Sequence, residues 1–96
     1  MEARQSEVVD VPEESHYAIR VDGKQVGLSA YQLRGSTITF THTETDPALR
    51  GQGIAGELVR GALDDVRRRG LVVVPRCPFV REWIDDHPEY ADVVRP

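Results

Sequence analysis

The hydrophobic pattern of this 96-residue chain changes its period at one place, the glycine-rich segment at residues 50–56. Before this segment apolar and polar residues alternate, which is typical of β-strands. After it, apolar residues recur every three or four positions through residues 54–69, which predicts one amphipathic helix. A chain of this length forms one domain, so the strands and the helix are expected to share a single core.

The first half of the chain predicts an antiparallel meander of three strands. The first strand, residues 17–21, is followed by Asp22-Gly23, a typical two-residue hairpin turn. Residues 25–33 form the returning strand. After a second turn at residues 34–36, residues 37–45 form the third strand, which is rich in β-branched residues.

The remaining segments are expected to complete a mixed sheet. Residues 71–74 are all apolar, which predicts a short buried strand parallel to the strand before the helix. Residues 78–86 predict a second, short helix that begins at Pro78 and buries Phe79, Val80, Trp83 and Ile84. Residues 1–14 are expected to be a loose N-terminal segment, with a little edge strand near residues 8–11. Residues 15–96 then form a single α/β domain.

Composition narrows the class of protein. The net charge of -4 argues against a nucleic-acid-binding protein that works by neutralising phosphates. No apolar run approaches the ~20 residues needed to cross a bilayer, and the acidic first residues do not resemble a signal peptide. The single cysteine, Cys77, is typical of a reducing compartment. We therefore expect a cytoplasmic protein, a monomer or weak homodimer, that binds neither nucleic acid nor membranes.

Glycines at positions 51, 53 and 56 surround the start of the predicted long helix. The first turn of a helix has unpaired backbone N–H groups and a partial positive charge, and glycine leaves those groups unobstructed by side chains. The segment is therefore predicted to bind an anion, and phosphate suits it best.

The three glycines also allow other interpretations. The spacing Gly51-x-Gly53-x-x-Gly56 matches the dinucleotide-binding pattern. That pattern needs an acidic residue about 20 positions further on, and residues 71–77 contain none. A kinase-type phosphate loop is excluded because no Lys-Ser or Lys-Thr follows the glycines. A plain tight turn that binds nothing stays open as an alternative.

Residues 50–55, Arg-Gly-Gln-Gly-Ile-Ala, resemble the acetyl-CoA motif of the GNAT acetyltransferases, Gln/Arg-x-x-Gly-x-Gly/Ala. The motif follows an antiparallel meander and opens a long helix, as in that superfamily. The segments THTETDPALRGQGIAGELV, VVVPRCPFV and HPEY are similar to the small single-domain members, over residues 15–92. The resemblance implies a GNAT-like α/β (α+β) fold: an antiparallel β-meander, then a helix, a parallel strand and a short C-terminal helix.

The resemblance also implies acetyl-CoA as the cofactor and suggests which residues bind it. The backbone N–H groups of residues 50–55 are expected to bind the pyrophosphate, with an added contact from the Arg50 side chain. The strands on either side of the helix splay apart in this superfamily, and the pantetheine arm lies between them. The cofactor-binding residues implied in this way are Thr43, Thr45, Arg50, Gly51, Gln52, Gly53, Ile54, Ala55 and Pro78.

Cys77 is the first candidate for the chemistry. It stands at the N-terminal end of the second helix, where the positive end of the helix dipole favours a thiolate. The small GNAT-like proteins that the chain resembles carry a cysteine here, next to the expected thioester. Cys77 is thus a candidate to accept the acetyl group or to supply a proton. A small, buried structural residue is the alternative.

His42 and Glu44 are the second candidate. On a regular strand they share one face with Ile38 and Phe40 and continue it toward the carboxyl end, where the resemblance places the cofactor gap. A glutamate at this end is the general base in many members of the superfamily. Glu44 is therefore expected to be the base and His42 a helper or a substrate contact. A solvated strand end is the alternative.

The third expected participant is missing. Many superfamily enzymes use a tyrosine to protonate the departing thiolate, and the nearby aromatic residue here is Phe79.

The expected function is acetyl-CoA-dependent N-acetylation of an unidentified amine, either a small molecule or a protein. The alternative is a CoA-binding or interaction module with little or no catalytic activity. No metal site is expected, because the histidines lack the spacing of metal ligands.

Overall fold

A computed structural model of the chain describes residues 5–94, which form a five-stranded mixed sheet and two α-helices. The strands are β1 (Ser6–Val11), β2 (His16–Val21), β3 (Lys24–Arg34), β4 (Thr37–Thr45) and β5 (Val72–Pro75). The helices are α1 (Ile54–Arg68) and α2 (Pro78–Asp86). The strands lie in the sheet in chain order; β1 to β4 pair antiparallel, and β5 pairs parallel to β4.

The predicted meander, long helix, parallel strand and short helix are confirmed, and they occur in the predicted order. Asp22 and Gly23 both have positive φ, 51° and 84°, as a two-residue hairpin between β2 and β3 requires. The N-terminal edge strand, Ser6–Val11, is longer than predicted. Residues 1–4 of the predicted loose segment, like residues 95–96, lie outside the described residues. No helix within the described part of the chain is long and apolar enough to cross a bilayer.

The core lies between one face of the sheet and the two helices. The side chains that α1 buries are all apolar and follow the helical period: Ile54, Leu58, Val59, Ala62, Leu63 and Val66. From α2, Val80, Trp83 and Ile84 are buried as predicted. The prediction that Phe79 is a core residue was wrong, since its side chain is 40% exposed. It lines a surface pocket beside the start of α1 instead.

Strand β4 contains a β-bulge at Thr41. Phe40 pairs with Tyr31 and His42 pairs with Ala30, so Thr41 is an extra residue that stands opposite no residue of β3 in the register. Because Ala30 and Tyr31 are adjacent in β3, they face opposite sides of the sheet. Their partners Phe40 and His42 therefore also face opposite sides.

The bulge overturns the prediction that His42 and Glu44 share a face with Ile38 and Phe40. Beyond Thr41 the alternation of side chains between the two faces is reversed, so Thr43 and Thr45 face the helices. His42 and Glu44 face the opposite side of the sheet and are exposed. A regular strand was assumed in the prediction, and the inserted residue shifts every later side chain to the opposite face.

Candidate active site

The chain between β4 and α1 is a short loop with a defined conformation. It begins at Asp46, whose Oδ1 accepts a hydrogen bond of 3.0 Å from the Ala48 N–H, and continues through a single 3-10 turn at Pro47–Leu49. Gly51 and Gly53 then have φ of 86° and 75°, which side chains disfavour. A Cβ atom at either position would meet no atom within 4 Å. Glycine is therefore needed here for the backbone conformation, and it leaves the loop surface open.

Several backbone N–H groups at the N-terminus of α1 and in the loop before it, here called the helix entrance, have no hydrogen-bond partner among residues 5–94. They belong to Gly51, Gly53, Ile54, Ala55 and Gly56. The N–H groups of Arg50 and Gln52, which were also expected to be free donors, instead close the loop. They donate to the carbonyls of Pro47 and Leu49, at 3.2 Å each. The structure thus assigns the unpaired donors to the glycines and to the first turn of α1.

The unpaired N–H groups border a surface pocket of about 240 Å³. Its lining comprises Thr45, Leu49, Arg50, Gly51, Gly53, Ile54, Ala55, Gly56 and Phe79. The pocket therefore brings together most of the residues predicted to bind the cofactor, whereas Thr43, Gln52 and Pro78 lie outside its lining. Phe79 was missed as a site residue, because its position in α2 also fits the apolar stripe of that helix.

Strands β4 and β5 separate close to this pocket. Their parallel pairing ends at Phe40 and Pro75, and the Cys77 N–H adds one more hydrogen bond, 2.8 Å to the Phe40 carbonyl. From His42 to Thr45, β4 pairs with β3 but not with β5. The result is a gap with the edge of β4 that has no strand partner within residues 5–94 on one side and the first turn of α2 on the other.

Cys77 lies at the closed end of this gap. It is the N-cap residue of α2 and is 3% exposed. Its thiol donates a hydrogen bond to Thr43 Oγ1, with a sulfur-to-oxygen distance of 3.4 Å. Within residues 5–94 its sulfur has no hydrogen bond with a histidine or a carboxylate. The thiol is thus shielded, and a hydroxyl is its polar partner.

His42 and Glu44 form a pair on the face of the sheet that is turned away from α1. His42 Nε2 lies 2.8 Å from Glu44 Oε2, and both side chains are 61% exposed. Their cross-strand neighbours on this face are Ala30 and Leu28. The imidazole and the carboxylate can share a proton, so this arrangement can take a proton from a molecule that approaches from this face.

The large pKa shifts lie away from the gap, in a polar network between α1 and the first strands. Burial, together with a hydrogen bond of 2.6 Å to Asp65, raises the pKa of Tyr17. Burial, together with a hydrogen bond of 2.6 Å to Asp10, raises the pKa of Tyr31. Arg69 contacts both carboxylates. This network joins β1, β2, β3 and α1, so its role is structural.

Known proteins share sequence and fold with this chain. The model of the family described as GCN5-related N-acetyl-transferase matches residues 16–93. The chain is similar to the protein NATD1 of Xenopus tropicalis, with 27% identity over 84 residues that cover 83% of this chain and 77% of that protein. Human NATD1 is 29% identical, over 83% of this chain and 74% of the relative.

Solved structures with low sequence identity share the fold. A GCN5-like protein from Staphylococcus aureus, determined by NMR, superposes with a TM-score of 0.70 at 21% identity, over 93% of this chain and 87% of that one. The ribosomal-protein-S18-alanine N-acetyltransferase of Escherichia coli superposes with a TM-score of 0.61 at 13% identity, over 76% and 66%. These likenesses confirm the predicted fold.

Proposed function

The chain belongs to the GCN5-related N-acetyltransferase family, and we propose that it transfers the acetyl group of acetyl-CoA to an amine. The observation that carries this proposal is the set of unpaired N–H groups from Gly51 to Gly56 around one open pocket. A diphosphate presents several oxygens that need hydrogen-bond donors, and the first turn of a helix adds a favourable potential. Acetyl-CoA carries both the diphosphate and the reactive thioester.

The gap between β4 and β5 suits the pantetheine arm. The arm would run from the pocket past Thr45 and Thr43, along the edge of β4 that has no strand partner within residues 5–94. The backbone groups of such an edge are available to pair with an extended ligand that contains amides. The thioester then lies near Cys77, where the gap closes.

The acceptor amine approaches from the other face of the sheet. His42 and Glu44 lie on that face, beside the same stretch of β4, and their paired side chains are exposed. An amine must lose a proton to form an amide, and a carboxylate paired with an imidazole is a suitable general base. Glu44 takes this proton and His42 shares it, and the amine reaches the thioester through the gap beside β4.

The environment of Cys77 favours a proton source over a nucleophile. One way to activate a nucleophilic thiol is a base within hydrogen-bonding distance, and the hydrogen bond that the structure gives the Cys77 sulfur goes to the hydroxyl of Thr43 instead. When the amine attacks, the new C–N bond forms and the C–S bond of the thioester breaks. The departing CoA sulfur takes the Cys77 proton, and Cys77 later regains a proton from solvent. This step takes the place of the missing tyrosine.

Binding is tested first, by titrating acetyl-CoA and following backbone amide shifts. We expect the largest shifts at Gly51, Gly53, Ile54, Ala55 and Gly56, and smaller ones at Arg50 and Gln52, whose N–H groups are already used. Shifts confined to other parts of the chain would end every CoA-based proposal. Turnover is then measured as release of free CoA in the presence of a panel of amines.

The alternative, a CoA-binding module without catalysis, is favoured by one observation, the 3% exposure of Cys77. The variant Cys77→Ala separates the two. In an enzyme that uses this thiol, the variant keeps its affinity for acetyl-CoA and loses acetyl transfer. In a binding module, the wild type and the variant bind alike and neither releases CoA faster than the buffer does.

A further inference from the structure

Three side chains form a hydrogen-bonded chain that ends at the gap. Cys77 Sγ lies 3.4 Å from Thr43 Oγ1, and Thr43 Oγ1 lies 2.9 Å from Ser29 Oγ. Ser29 and Thr43 are cross-strand partners on β3 and β4, so both face the helices. Thr43 therefore contacts Cys77 on one side and Ser29 on the other.

Ser29 is a polar residue in a core position. It is 1% exposed and lies on the face of β3 that also carries the buried Tyr31. A buried hydroxyl is unfavourable unless it has a hydrogen-bond partner, and an apolar side chain at this position needs none. The partner of Ser29 is the side chain of Thr43. The hydrogen bond with Thr43 thus satisfies the buried Ser29 hydroxyl and links it to the gap.

The surroundings leave Cys77 with no charged partner in the described part of the chain. The side chains that α1 and α2 bury are apolar. Arg76 and Arg81, which are close to Cys77 in sequence, are exposed. His42 and Glu44 lie on the other face of β4, and Arg50 lines the pocket. The hydroxyl of Thr43 is therefore the polar side chain that can respond to a change of charge on the sulfur.

We propose that Thr43 and Ser29 are positioning residues that hold the Cys77 thiol and stabilise the thiolate left when its proton moves to CoA. This rests on the proposed function, in which the departing CoA sulfur takes that proton. Before transfer, the Cys77 S–H donates to Thr43. After transfer, the Thr43 hydroxyl turns and donates to the Cys77 thiolate, and the Ser29 hydroxyl donates to the Thr43 oxygen. A hydrogen bond to a charged acceptor is stronger than a neutral one, so the hydroxyl chain favours proton release.

The test uses the ionisation of Cys77 itself, which is the only cysteine of the chain. The ultraviolet absorbance of the thiolate is followed against pH, with Cys77→Ala as the blank. In Thr43→Val we expect the titration midpoint to rise by about one pH unit, which is a ten-fold lower ratio of thiolate to thiol at a given pH. Ser29→Ala should shift the midpoint in the same direction by less.

Two further variants serve as controls. Thr43→Ser keeps the hydroxyl and should titrate like the wild type. Thr39→Val removes a hydroxyl from the opposite face of β4 and should also leave the midpoint unchanged. An unchanged midpoint in folded Thr43→Val, or an equal shift in Thr39→Val, overturns the proposal. If Thr43→Val does not fold, Ser29→Ala against the wild type decides: a higher midpoint supports the proposal and an unchanged one overturns it.

Turnover supplies an independent readout. In Thr43→Val, kcat should fall by about the same factor of ten. A higher KM with an unchanged thiolate midpoint would mean that Thr43 only contacts the cofactor, which overturns the positioning role. If the wild type transfers acetyl to no amine, the proposed function fails instead. The thiolate titration needs no cofactor and still decides whether Thr43 and Ser29 act on Cys77.

Discussion

Gly61 of α1 lies directly against Val8 of β1, so closely that a Cβ atom at Gly61 would come within 2.6 Å of the Val8 Cβ. Glycine in a helix interior is less favourable than alanine by about 1 kcal/mol, and this close approach explains why it occurs here. The contact lets the edge strand β1 pack onto the helix. The hydrogen bond from Tyr31 to Asp10 supports the same strand.

Replacement of Gly61 tests this packing. We expect Gly61→Ala to lower the free energy of unfolding by about 1–3 kcal/mol, because overpacking against Val8 exceeds the gain in helix propensity. Urea unfolding measures the change, and the double variant Gly61→Ala/Val8→Gly, which also removes the Val8 Cβ, should lose less stability than the sum of the two single variants. Gly56→Ala is a matched control in the same helix, since its Cβ would lie 3.4 Å from the Trp83 Nε1. If Gly61→Ala were as stable as the wild type, the close contact between Gly61 and Val8 would be contradicted.

Replacement of Gly53 tests the helix entrance. Gly53 and Gly35 both have positive φ, 75° and 58°, and a Cβ atom at either position would meet no atom within 4 Å. Valine at either position is therefore expected to cost about 1–2 kcal/mol of stability through backbone strain. Only Gly53→Val should raise the Kd for acetyl-CoA, by ten-fold or about 1.4 kcal/mol at least, because only Gly53 borders the pocket. Urea unfolding gives the stability and calorimetric titration gives the Kd. Equal weakening of binding by the two variants would argue against an anion site at the start of α1.

Replacement of Glu44 tests the proposed base. We expect Glu44→Gln to lower kcat/KM by about 10²-fold, as for the loss of a general base. The thermal midpoint should stay unchanged, since the side chain is 61% exposed. Glu82→Gln, which removes an exposed carboxylate from α2, is the control for charge. Turnover of Glu44→Gln at the wild-type rate would exclude Glu44 as the base.

The polar network of Tyr17 and Tyr31 with Asp65 and Asp10 is expected to make the protein less stable at alkaline pH. Below the ordinary pKa of 10.0, Tyr17 and Tyr31 are protonated in the folded and the unfolded chain, and their hydrogen bonds to Asp65 and Asp10 contribute fully. Above it the unfolded tyrosines ionise, whereas the raised pKa values keep the folded ones protonated. The free energy of unfolding therefore falls as the pH rises above 10.

Urea unfolding at about pH 8 and about pH 11 measures this dependence. The double variant Tyr17→Phe/Tyr31→Phe should be less stable than the wild type at the lower pH, because Asp65 and Asp10 each lose the hydrogen bond that a tyrosine hydroxyl donates. The free energy of unfolding of the double variant should fall less between the two pH values than that of the wild type. An equal alkaline loss in the two proteins would show that other groups control the dependence.

The order and type of the elements followed from local patterns. The turn at Asp22-Gly23 was predictable because positive φ at both positions is a property of the turn residues themselves. The buried face of α1 was predictable because the helical period is carried by neighbouring residues. The exposure of Phe79 was not predictable from the sequence. A phenylalanine at the start of α2 fits the apolar pattern of the helix whether its side chain faces the core or the pocket.

The residues of the candidate site divide in the same way. The glycine entrance at Gly51 and Gly53 was visible in the sequence, since glycine there reflects the local backbone conformation. The sequence did not show that the N–H groups of Arg50 and Gln52 are used in hydrogen bonds within the loop. Those hydrogen bonds depend on the 3-10 turn that precedes them. The link from Ser29 to Thr43 joins strands through their register, so no sequence pattern indicated it.

The sequence by itself determined that a meander leads into a glycine-lined helix entrance, because turns, strand alternation and helix period depend on residues that are close in the chain. Only the tertiary structure decided that His42 and Glu44 lie on the face opposite Ile38 and Phe40. That outcome depends on a single extra residue, Thr41, which is accommodated by the pairing of β4 with β3. Because side chains of a strand alternate between its faces, one inserted residue reverses all those that follow it.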